Sequence, residues 1–177
     1  MALQPHQPGA AAGIPRRMLA FVADVALLSI GVQLLYRGFQ LAFGPVSALL
    51  TTGTRAELFH LVIVSLPSWI YLILGESSAR GATLGKIVLN LRVVDVYGAG
   101  LDFRRALLRT IVKMLPFELA QVALSFPQPA YITGTIGHPR LLFVVYAMLA
   151  LQVAAITMTL KKQSVHDLAA GTYVVRA

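Results

Sequence analysis

MLAFVADVALLSIGVQLLY, from Met18 to Tyr36, decides the fold class: nineteen residues, apolar apart from Asp24, Ser29 and Gln33, with Arg16 and Arg17 immediately before them. At about 1.5 Å of rise per residue, such a helix spans most of a hydrocarbon core of about 30 Å. Basic residues ahead of an apolar run also suit a signal peptide. This run is longer than a usual signal core and carries a carboxylate, so a retained membrane helix is expected. A carboxylate at the centre of a lone membrane helix costs roughly 2.5 to 3.5 kcal/mol on insertion scales. Asp24 therefore requires a partner, a water-filled cavity or a proton.

The rest of the chain agrees with a lipid environment. Of its 177 residues, 57% are apolar and 12% charged, with a mean hydropathy of +0.73, against roughly 25% charged in average soluble proteins. The absence of cysteine excludes disulfides, thiolate metal sites and cysteine nucleophiles. His6, His60, His138 and His166 show no helical i, i+4 pairing, so no metal site is expected. The formal charge of +8 flanks apolar runs, which reads as topology information and contact with anionic lipid, not as a nucleic-acid face. No pairing of nucleophile with base appears, so neither a catalytic residue, an enzyme activity nor a cofactor is expected.

Four spans are expected: 18–36, 58–74, 106–126 and 141–160, following a disordered N-terminal tail over 1–13 and forming one domain over 14–177. The second contains His60 and Pro67, which predicts a kink, and places Trp69 and Tyr71 toward a headgroup region. The third carries Arg109, Lys113, Pro116 and Glu118, so it either snorkels its cations or lies partly in the interface plane. The fourth is uncharged throughout. Between the second and third spans, KIVLNLRVVDV (Lys86 to Val96) precedes the turn candidate Tyr97-Gly98-Ala99-Gly100, predicting a short cytoplasmic β-hairpin, and Asp102 suits the cap of the next helix. The fold expected is thus an all-α membrane bundle of about four helices with that hairpin. Four crossings put 12 of the Lys and Arg residues on one side and only Arg37, Arg55 and Arg140 on the other, whereas three crossings split them 10 to 5. The positive-inside rule then places both termini in the cytoplasm.

Arg17 lies two helical turns before Asp24 on the same face, but roughly 10 Å away along the axis, so a third group from another helix is the better partner. Asp24 either binds a cation or proton or holds helices together by hydrogen bonds. The segment Arg80-Gly-Ala-Thr-Leu-Gly-Lys86 has three residues between its glycines and Ile87 after its lysine, so it fails the phosphate-loop pattern. Lys86, Arg92, Arg105 and Arg109 are the candidate contacts for lipid headgroups. Ser164-Val-His-Asp167 fits a capping box closed by Gly171, which makes Asp167 a surface helix cap, and His166 beside it is a candidate for a proton-linked site with Asp24.

Taken in order, Arg17-Met-Leu-Ala-Phe-Val-Ala-Asp24, Ala82-Thr-Leu-Gly-Lys86, Leu91-Arg-Val-Val-Asp95, Arg105-Ala-Leu-Leu-Arg109 and His166-Asp-Leu-Ala-Ala-Gly-Thr172 resemble the RDD family of bacterial membrane proteins, from Gly13 to Val175. The resemblance implies Arg17, Asp24 and Asp167 as the name-giving residues. It also implies about three membrane helices, a location in the bacterial inner membrane, and a transport role, with cation/proton exchange proposed for some members. Here Asp167 follows Lys161 and Lys162, a departure from a second Asp in or near the last helix. Two function classes follow: a small transporter built around Asp24, working as a homo-oligomer or with another membrane protein, or a scaffold whose basic surface holds anionic lipid or a membrane partner.

Overall fold

The computed structural model describes residues 10–48 and 50–177. Helix α1 runs Ile14–Phe43, followed by a 3-10 turn at Val46–Ala48. Helix α2, Gly53–His60, passes through a π-helical turn at Leu61–Ser65 into α3, Leu66–Ser77. Then come α4 (Leu84–Val88), β1 (Leu91–Asp95), α5 (Phe103–Ser125), α6 (Ala130–Thr133), α7 (Pro139–Met158), α8 (Val165–Ala170) and β2 (Thr172–Arg176).

Three helical stretches, Ile14–Phe43, Gly53–Ser77 and Pro139–Met158, are long and apolar enough to cross a membrane. Little of each is buried within the protein: Leu27, Ile30 and Leu34 of α1 and Phe143, Leu151 and Val153 of α7 are exposed. An apolar helix with its side chains outward belongs in lipid. The expected span 106–126 forms one helix, α5, but its internal charges keep it out of this apolar set. Where a kink is expected at Pro67, the helix has a π turn just before the proline, in which the Leu66 N–H reaches the Leu61 carbonyl. A proline ring crowds the carbonyl four residues back. One extra residue in the turn moves that carbonyl aside.

Two compact units form. One comprises 10–25, Tyr71–Lys113 and Gln152–Ala177. At its centre β1 pairs antiparallel with β2, Leu91 opposite Arg176 and Asp95 opposite Thr172. Leu91, Val93 and Val174 pack on one face with Ala12, Ala20 and Leu101, while Val94, Tyr173 and Val175 cluster on the other. Both faces are covered, so neither strand shows the polar alternation of a half-exposed sheet.

The local hairpin expected at this point does not form. The turn is present, with the Asp95 carboxylate accepting the Tyr97 and Ala99 N–H groups at 2.9 Å each. Beyond it Leu101 is buried and Asp102 caps α5 by accepting the Arg105 N–H at 2.8 Å, so no returning strand follows. The partner is the C-terminal TYVVR, and the leading half of the expected strand is wound into α4. Of the tail expected to be disordered, Met1–Gly9 lie outside the described residues. Ala12 is buried and donates its N–H to the Val174 carbonyl at 2.9 Å, and Ala11 bridges Val175. The backbone of 10–12 thus covers the free edge of β2, and the Gly81 carbonyl accepts the Val93 N–H of β1 at 2.7 Å.

The other unit comprises Ala26–Ile70 and Met114–Leu151. Phe59 meets Tyr36 and Phe39 edge-to-face, at 6.1 and 5.3 Å between centroids. Trp69 does not present its N–H to headgroups: it donates to Glu118 at 3.1 Å, and the Ser65 hydroxyl donates to the other carboxylate oxygen at 2.9 Å. Gly137 lies against the Phe126 carbonyl so closely that a Cβ would stand 1.7 Å from the oxygen. Only glycine fits there.

Candidate functional site: a closed charge cluster

All four residues named as ion-binding candidates lie in the first unit. Asp24 is 2% exposed and fully engaged by α3 and the segment after it. Its Oδ1 accepts the Tyr71 hydroxyl at 2.6 Å and the Gly85 N–H at 2.8 Å, and its Oδ2 accepts the Thr83 hydroxyl at 2.6 Å. The Tyr71 oxygen in turn accepts the Leu84 N–H at 3.0 Å. A Cβ at Gly85 would stand 2.3 Å from the Ala20 carbonyl oxygen, so glycine is required for this approach. The partner that Asp24 needs is therefore a set of three donors, none of them a cation.

Arg17 reaches Asp167, not Asp24. Its guanidinium pairs with Asp167 Oδ2 and donates to the Lys162 carbonyl. Asp167 closes the capping box, its Oδ2 accepting both the N–H and the hydroxyl of Ser164, at 3.0 and 2.8 Å. Its position corrects the surface assignment. Asp167 is fully buried, because its Oδ1 also takes two bonds from Arg109, at 3.0 Å from Nε and 2.6 Å from Nη2. Burial alone pushes the Asp167 carboxyl up, but Arg109, Arg17 and the Ser164 amide more than reverse this and hold it well below the usual carboxylate range.

The chain of charges continues through Arg109 to Glu76 and Lys86. Arg109 Nη1 lies 2.7 Å from Glu76 Oε2 at an angle outside hydrogen-bonding geometry, so that contact is ionic. Lys86 closes on Glu76 Oε1. These pairs correct the headgroup assignment of Lys86 and Arg109, which are 8% and 1% exposed. The cations turn inward because buried carboxylates lacking counter-charges would be far more costly than the pairs they form. Of the other two headgroup candidates, Arg105 is half-exposed and bonds Asp95 at 2.9 Å, and Arg92 is half-buried.

His166 stands beside this chain. Its Nε2 lies 2.8 Å from the Ser164 hydroxyl and its Nδ1 2.9 Å from the Gln152 side-chain amide, whose orientation sets the tautomer, and the ring lies 4.0 Å from Asp167. Among the described residues it makes no hydrogen bond to Asp24. Burial, then the Arg109 charge, keep its pKa well below the ordinary imidazole value, so the ring is neutral near pH 7. No group of three His, Asp or Glu arranged to hold a metal occurs among the described residues.

Sequence reasoning missed Glu76, Tyr71 and Thr83 as members of this site. Glu76 follows the apolar run of α3 as its only carboxylate, a signal of the same kind as Asp24. Thr83 and Gly85 stand in the quoted Ala82 to Lys86 segment, but nothing local marks them as donors to α1.

The family model described as the RDD family matches residues 11–171. No curated protein and no solved structure matches the chain.

Proposed function

The chain belongs to the RDD family, and we propose that it works as a membrane-embedded assembly module, not an enzyme, holding anionic lipid or another membrane protein through its exposed cations. The observation that carries this reading is the closure of the charge cluster. Arg17, Asp167, Arg109, Glu76 and Lys86 answer one another, and Asp24 accepts three hydrogen bonds. A cation seeking Asp24 must first displace donors already in place.

Arg16, Arg80, Arg104, Lys161, Lys162 and Arg176 remain exposed in the same unit. Twelve of the 15 Lys and Arg residues belong to that unit, against Arg37, Arg55 and Arg140 in the other. This distribution supports four spans, with α5 as the fourth, and both termini on the cytoplasmic side of a bacterial inner membrane. A homo-oligomer or a second membrane protein supplies the protein partner in this reading.

Cation/proton exchange is the rival, favoured by the number of ionisable groups buried together, an expensive arrangement that marks many transport pathways. Two measurements separate them. Purified protein analysed by native mass spectrometry is expected to retain anionic lipid, and a variant carrying Arg80→Gln, Arg104→Gln, Lys161→Gln and Lys162→Gln to lose it. Proteoliposomes with a pH gradient, challenged with sodium, potassium and lithium, are expected to show no cation-dependent proton flux. Flux present in wild type and lost in a folded Asp24→Asn variant would replace the assembly reading with transport.

A further inference from the structure

Helix α4 is built inside out. Gly85 and Lys86 are buried, whereas Leu84 and Val88, one turn apart on the same face, are 52% and 72% exposed. Facing water, this arrangement puts apolar side chains in the solvent they avoid and hides the residue that seeks it.

Its place explains the inversion. The Gly85 N–H bonds Asp24, and the Gly85 backbone lies against the Ala20 carbonyl, so α4 packs directly on α1. Asp24 stands roughly 15 Å along the axis from the start of α1. At this level Met18, Leu19 and Val22 of α1 are exposed and apolar. Both packed helices thus carry exposed apolar side chains, with the exposed Arg16 and Arg80 ahead of them in sequence. Residues 81–83, which lead into α4 without helical bonding, are buried in protein, as non-helical backbone at membrane depth requires.

We propose that α4 is a re-entrant membrane anchor: Leu84 and Val88 enter the upper acyl-chain region of the bilayer, and Arg80 and Arg16 meet anionic headgroups above it. The occupant of this surface is lipid. The inference rests on the membrane placement of α1 and shares Arg16 and Arg80 with the lipid contact of the proposed assembly role.

The chain has no cysteine, so single-cysteine variants test the depth directly. Leu84→Cys and Val88→Cys are labelled with an environment-sensitive fluorophore in vesicles of phosphatidylglycerol and phosphatidylcholine. Val22→Cys serves as the α1 control and Ala99→Cys, in the exposed β1 turn, as the aqueous one. Labels at 84 and 88 are expected to be quenched by lipid nitroxides placed high on the acyl chain, as at 22, and several-fold less by iodide than at 99. Both positions are exposed, so a monodisperse elution profile is expected for each variant. Iodide quenching at 84 and 88 equal to that at 99 would overturn the inference while leaving α1 in the membrane. Iodide access at 22 as well would remove the membrane placement itself. Shielding from both quenchers, with crosslinking through position 84, would assign the surface to a protein.

Discussion

Arg109 donates twice to a single oxygen of Asp167, at 3.0 and 2.6 Å, across 58 residues of sequence. The same guanidinium faces Glu76, so one side chain answers two buried carboxylates, on α8 and on α3. Replacing both partners of such a pair by apolar groups can be harmless, but removing one leaves charge buried without an answer.

Arg109→Met is therefore expected to lower unfolding free energy by about 3 to 5 kcal/mol. Arg109→Lys restores the charge but not the planar fork, and falls between the variant and wild type. Chemical unfolding in detergent measures both. An unchanged midpoint for Arg109→Met would mean that the cluster does not hold this unit together.

Around Asp24 the expected losses are local. Asp24→Asn puts an amide donor where a carboxylate oxygen accepted, costing roughly 1.5 to 3 kcal/mol for a bond to a charged group. Gly85→Ala forces a methyl against the Ala20 carbonyl, an overpacking cost of about 1 to 3 kcal/mol. Hydrogen exchange is expected to speed up at the amides of 83–86 in both variants and to stay slow in β1. Equal acceleration across the unit would argue against a local attachment.

Acid acts through His166 first. Its folded pKa lies well below its unfolded value of about 6.5, so below that pH the unfolded chain takes up a proton that the folded chain refuses. Stability then falls with decreasing pH, by at most about 1.4 kcal/mol per pH unit for one proton. His166→Gln is expected to flatten the dependence of melting temperature on pH between about 6.5 and 4.5. Asp167 adds a second loss at lower pH. Its depressed carboxyl contributes fully above about 4 and is lost as pH falls further. An unaltered profile in His166→Gln would show that the ring is not buried neutral.

Exposure separates this cluster from the Arg105 and Asp95 pair. The Arg105 side chain is 40% exposed, so Arg105→Ala is expected to cost less than about 1 kcal/mol. Asp95→Ala removes the acceptor of two turn amides and costs more, roughly 1 to 2 kcal/mol. A larger loss from Arg105→Ala than from Asp95→Ala in the same unfolding assay would contradict this order.

What could be read from the chain beforehand was whatever has a local cause. Asp24 stood out because a carboxylate interrupts an apolar run, and the Ser164 and Asp167 box because its spacing is set by one helical turn. The α5 cap at Asp102 belongs to the same class. Pairings that depend on the assembled unit left no such mark. Nothing near Thr83 says that its hydroxyl faces α1, and nothing near Arg109 says that Glu76 awaits it. The β1 turn was legible as a turn, yet its neighbourhood suggested a hairpin because the true partner lies beyond every long helix. Lys86 follows the same logic: a cation beside glycines reads as solvent-facing until the carboxylate on α3 is placed next to it.

The order of synthesis gives the Arg17 to Asp167 pair a second meaning. Arg17 and Arg109 leave the ribosome well before Asp167 and β2 exist, so both arginines pass through membrane insertion with that carboxylate still unmade. During that interval Arg17 lacks the counter-charge of Asp167, and an uncompensated cation is the kind that holds a helix end on the side where it began. When α8 arrives, the guanidinium groups of Arg17 and Arg109 both pair with Asp167 and join α1 and α5 to the sheet-bearing unit. The carboxylate that closes the cluster is thus the last of its charges to be made.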